Sequence, residues 1–134
     1  MPLADFYLKI KTNLMILKNL KNQQDLEITG NFSTPRLLIG DFYNAMFQLN
    51  ALLNQHGFLQ GIKQLFECKH RVLIHPLDQN EGGLCPVEER ILQEVAHAGF
   101  KGKLRKRVIH QGERLLSDAE VKAELNKHIT KKKL

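Results

Sequence analysis

Charge segregation constrains this chain more than any other feature: a balanced, apolar-periodic first hundred residues is followed by a strongly basic end. Residues 1–100 carry nine Lys and Arg against ten Asp and Glu, a net of −1, whereas residues 101–134 carry eleven against four, a net of +7. The folded body must be built largely upstream of residue 101. A block of like charge on such a body is the electrostatic footprint of a contact with a polyanion, either nucleic acid or an anionic membrane surface.

At 134 residues and 43% hydrophobic content the chain is of a size that one core can organise. No repeat or long linker divides it, so residues 1–134 read as a single domain, with 101–134 as a basic C-terminal segment ending in a frayed tail. The longest apolar runs, Leu14 to Leu17 and Leu37 to Ile39, are far shorter than the roughly 20 residues that span a bilayer. No transmembrane segment is expected. Lys9, Lys11, Lys18 and Lys21 interrupt the N-terminal apolar stretch, and no small-residue cleavage pattern follows it, which argues against a signal peptide. Two cysteines, Cys68 and Cys85, are too few for a disulfide framework. A reducing, cytoplasmic location is the expectation.

Along the chain, Phe6, Ile10, Leu14 and Leu17 recur at helical spacing, which predicts an amphipathic helix from Leu3 to about Lys21. Leu26 to Thr29 alternates and reads as a short strand. Thr34-Pro35 predicts a long helix over about 35–55 with Leu38, Phe42, Met46, Leu49 and Leu53 on one face, although Gly40 allows the start to be at Asp41 instead. A shorter helix is expected over 58–69. Arg71 to His75, stopped by Pro76, is the best strand candidate. Pro86 opens a helix that Gly99 ends. Residues 101–114 read as a β-hairpin or an irregular basic loop, and Ser117 with Glu120 has capping-box spacing for a last helix through Val121, Leu125 and Ile129. The fold class that follows is α+β and predominantly helical, a single small domain of about five helices with two to four short strands.

The leading candidate for function is the cationic cluster Lys101, Lys103, Arg105, Lys106 and Arg107, joined by Arg114. Concentrated Lys and Arg neutralise phosphates and release counterions without reading sequence. Phe100 is the one nearby aromatic, so phosphate contacts are favoured over base stacking. This predicts a small nucleic-acid-binding accessory protein, with DNA and RNA undistinguished. One alternative is a non-enzymatic adaptor or chaperone-like module. Helix 35–55 would then hold a protein partner or a second copy through Ile39, Tyr43 and Phe47, which fall off its core line. A second alternative is a small metal-independent ribonuclease. In that reading His110 and Glu113 act as acid and base, with Arg107 and Arg114 on the phosphate.

Cys68, His70, His75 and Cys85 are suitable donors for zinc, but their spacing matches no common structural site. Asp78, Asn80, Gly82, Gly83 and Glu89 imitate a calcium loop, but Pro76 blocks an entering helix, Pro86 falls inside the template and one side-chain ligand is missing. No cofactor is expected.

Overall fold

The computed structural model describes residues 5–35, 37–57, 70–78 and 83–127. Its frame is a five-stranded mixed sheet in the order β3-β2-β1-β4-β5, formed by β1 (Asp5–Lys11), β2 (Leu14–Asn19), β3 (Gln24–Thr29), β4 (His70–Pro76) and β5 (Leu104–Ile109). β1 to β3 are an antiparallel meander, and β4 and β5 add to the other side of β1, each parallel to its neighbour. Three helices occur among the described residues: α1 (Phe42–Gln55), α2 (Pro86–Gly99) and α3 (Asp118–Asn126). The molecule is therefore α+β around a sheet, not the predominantly helical domain of about five helices that the periodicity suggests.

The N-terminal segment is strand and not the amphipathic helix that its spacing predicts. Residues 5–19 form a hairpin, with Lys11 opposite Leu14 and Asn13 at φ 54 in the turn between them. Asparagine tolerates that left-handed conformation better than most residues. The helical spacing of Phe6, Ile10, Leu14 and Leu17 coexists with a period of two in Phe6, Leu8 and Ile10, and again in Met15 and Leu17. All five of these last residues are at most 2% exposed. As the central strand β1 is covered on both faces, so Phe6, Leu8 and Ile10 pack on one side and Tyr7 on the other in a nearly continuous buried run.

α1 starts at Phe42 because Asp41 caps it, accepting from the Asn44 amide at 3.0 Å. Thr34 instead closes a local turn through Leu37. α2 spans the stretch predicted from Pro86 to Gly99, and Glu88 accepts from the Cys85 amide at its start. In α3 the capping box is complete: Ser117 Oγ accepts from the Glu120 amide at 3.2 Å and Glu120 accepts from the Ser117 amide at 2.8 Å. The predicted helix over 58–69 and Ile129 of the last helix lie outside the described residues.

Two apolar clusters hold the layers together. On one face Phe6, Leu8, Ile10, Leu17, Val72 and Ile74 pack with Phe32, Phe100 and the inner sides of α1 and α2. On the other face Tyr7, Leu20 and Leu73 meet Val121 and Leu125 of α3. Both α3 residues are fully buried, so this helix is an integral layer despite its narrow apolar stripe.

Candidate functional site

Within the cationic segment 101–114, Leu104–Ile109 form β5, the edge strand, which among the described residues pairs with β4 alone; 101–103 and 110–114 are turn and loop, so the segment is part strand and part irregular loop and not a hairpin. Strand alternation divides its cations between the two faces. Lys106 opposes Arg71 and points to the α3 face, where its Nζ donates to the carbonyls of Leu125 and Lys127. Burial, reinforced by the charges of Arg71 and Arg105, holds Lys106 below the ordinary lysine value. It is a C-terminal cap for α3. Arg107 opposes Val72 and points to the α2 face, with Nη1 3.1 Å from His97 Nδ1. Arg105 occupies the register shift between the Leu104 and Lys106 pairings and is exposed. Lys101, at φ 55 in the turn after α2, is exposed as well, and Lys103 lies between them.

Arg114 is drawn elsewhere. Its guanidinium makes a two-pronged ion pair with Glu120, both bonds 3.0 Å. The same contact, with the Ser117 amide, lowers the Glu120 carboxyl to about 2. Lys18–Asp118, Lys122–Asp5 and Lys127–Glu124 pairs consume further charge around α3. Of the six predicted contact residues, Arg105 and Arg107 lie on β5 and Lys101 and Lys103 on the turn leading into it, whereas Lys106 and Arg114 serve α3. Arg90 and His97 of α2 extend the edge group: together with Gln93, Glu94 and Arg107 they line a shallow polar depression. The Arg90–Glu94 pair there is loose, at 3.8 Å with both side chains exposed.

The residues proposed for RNA cleavage are not gathered. His110 sits on the α3 face, its Nδ1 3.9 Å from Glu124 and its ring edge-on to His75 at 4.8 Å, while Arg107 faces α2 and Glu113 is exposed. Sequence reading missed the group His110 touches. His75 is fully buried, with Nδ1 2.7 Å from the Tyr7 hydroxyl and Nε2 2.7 Å from the Gly112 carbonyl, and the Tyr7 oxygen accepts from the Leu116 amide at 3.1 Å. Burial lowers the proton affinity of His75, which the Gly112 bond partly offsets, and burial raises the Tyr7 value. A histidine ending the apolar run Val72 to Ile74 was the available signal.

Neither cation template gathers its ligands among the described residues. No group of three or more His, Cys, Asp and Glu side chains there is placed to hold a metal. Cys68, Asn80 and Gly82 lie outside those residues, Asp78 accepts from the Thr12 amide, and Glu89 accepts from Gln111. No described helix is long and apolar enough to cross a membrane.

The architecture defines a small α+β protein with a basic sheet edge. The chain is 32% identical over 126 residues to the uncharacterised protein YjaA of Escherichia coli (strain K12), a match covering 89% of this chain and 94% of that protein. The chain belongs to the same family as YjaA. No protein-family model matches it.

Proposed function

We propose that this protein is a non-enzymatic nucleic-acid-binding module that contacts phosphates along the β5 edge. The observation that carries the reading is the arrangement left after α3 takes Lys106 and Arg114: Arg105 and Arg107 on β5, Lys101 and Lys103 on the turn leading into it, and Arg90 beside Arg107 on α2. Lys101 and Arg105 make no ion pair with a described acidic side chain, and an extended row of cations matches a backbone that presents phosphates at regular intervals. The exposed aromatics among the described residues, Tyr43 and Phe47, are on α1. Contact through phosphate rather than base stacking follows from that separation.

The test is a four-site variant, Lys101, Lys103, Arg105 and Arg107 each replaced by Gln, assayed against a mixed-sequence duplex and an unstructured RNA at low salt. Binding should weaken on the order of a hundredfold, with thermal stability held, and Arg114→Gln should stay close to the native affinity. Unchanged affinity in the four-site variant would overturn the reading; the cations would then only guard an open strand edge against pairing with another chain.

A second reading rests on α1, where Tyr43 and Phe47, one turn apart, are 67% and 61% exposed. This stripe suits self-association of two copies. Ile39, expected to extend it, is buried at 7% exposure. Light scattering across concentration, repeated with Phe47→Lys, separates a dimer held by this stripe from a monomer.

A further inference from the structure

The basic edge leaves unexplained why an imidazole should be sealed inside the opposite side of the sheet. His75 lies on the α3 face at the carboxyl end of β4, and every hydrogen-bonding atom of its ring is engaged. The Gly112 carbonyl can only accept, so Nε2 carries the proton and Nδ1 accepts from the Tyr7 hydroxyl. The Tyr7 oxygen in turn accepts from the Leu116 amide. Through these bonds a single pair of side chains on adjacent strands fastens the segment from His110 to Ser117 at two points, Gly112 and Leu116. That strap leads directly into α3, which covers Tyr7, Leu20 and Leu73.

We propose that His75 and Tyr7 form a proton-operated clasp: uptake of a proton by His75 releases the 110–117 strap and α3 from the sheet, uncovering the apolar face of Leu20, Leu73 and Val108. Protonation places a hydrogen on Nδ1 where the Tyr7 hydroxyl already donates. Tyr7 must then turn its own proton out and accept from two N–H groups. The new cation is fully buried. It faces His110 from the end of β5, with ring centroids 4.8 Å apart, and Lys9 from β1, both of which oppose its charge. Of the acidic groups around α3 and the strap, Glu124 is engaged with His110 and Lys127 and Glu120 with Arg114, while Glu113 is exposed to solvent. Because burial makes His75 a weaker base than a free imidazole, protons favour the released state. The clasp is fully closed above about pH 6.5 and loosens as pH falls below it.

Amide hydrogen-exchange protection, corrected for intrinsic rates and read at pH 7.5 and 5.5, tests this above the range where carboxylates titrate. Protection in α3 and at Leu116 should fall between these pH values, by at most about tenfold per pH unit, the limit for one proton. In His75→Gln, whose amide can still donate to Gly112 but does not titrate, protection should be flat. His56, a second imidazole whose proton affinity burial lowers, caps α1 on the other face and reports in α1 amides. Should His75→Gln fail to fold, Tyr7→Phe supplies a second arm: at pH 7.5 its strap should already be as loose as the native strap at pH 5.5. Equal native protection at both pH values, a pH response retained in His75→Gln, or a fully protected strap in Tyr7→Phe would each overturn the clasp.

Discussion

Single side chains decide how α3 is held. Arg71 grips Asp5 with two bonds of 2.8 Å and reaches Asn126 at the C-terminal end of the helix at 2.7 Å. Burial alone would raise the Asp5 carboxyl, but the bonds and charge of Arg71, with Lys122, overcome it and leave the value low. Asp5→Asn strands the guanidinium half-buried beside a neutral partner, and should cost about 3 kcal/mol in urea unfolding. Asp5, Asp118 and Glu120 all have lowered values, so their stabilising contribution is intact above the ordinary carboxylate range and lost as pH falls through it, for Glu120 down to about 2. Thermal unfolding against pH should therefore show a second decline below about pH 4.5, separate from the histidine range. Arg114→Gln should flatten the Glu120 part of it.

Helices and strands show what the sequence could and could not disclose. The boundaries of α2 and the start of α3 were legible because Pro86, Gly99, Ser117 and Glu120 act through local backbone chemistry. The N-terminal hairpin was not, because Phe6, Ile10, Leu14 and Leu17 satisfy a helical period by falling on two successive strands. The basic cluster was visible as charge, but its direction was not: pairing with β4 sends Lys106 and Arg107 to opposite faces. His75 and Tyr7 are 68 residues apart and share no spacing signal. Close approach between helices was likewise hidden. A Cβ on Gly99 would meet Leu49 Cδ2 at 2.6 Å and Cγ at 2.8 Å, and Leu49 is fully buried. Gly99→Ala should therefore destabilise by about 1–3 kcal/mol through overpacking, seen as a lower urea midpoint. Ser117→Ala removes one arm of the capping box and should cost about 1 kcal/mol, with the loss concentrated in α3 protection.

At the scale of the whole molecule, the sheet separates two sets of cations. Arg90 on α2, Lys101 before β5 and Arg105 on it keep exposed side chains, while Lys18, Arg71 and Lys106 on the other face bind α3. Affinity should therefore come from the exposed group of cations and not from the chain's overall excess of +6. The most direct test is the dependence of duplex-DNA affinity on salt. Four or five phosphate contacts predict that log Kobs falls with log salt concentration at a slope of about −4, and that the four-site Gln variant loses most of this slope. Absence of binding at low salt, or a slope that the substitutions leave unchanged, would contradict the account.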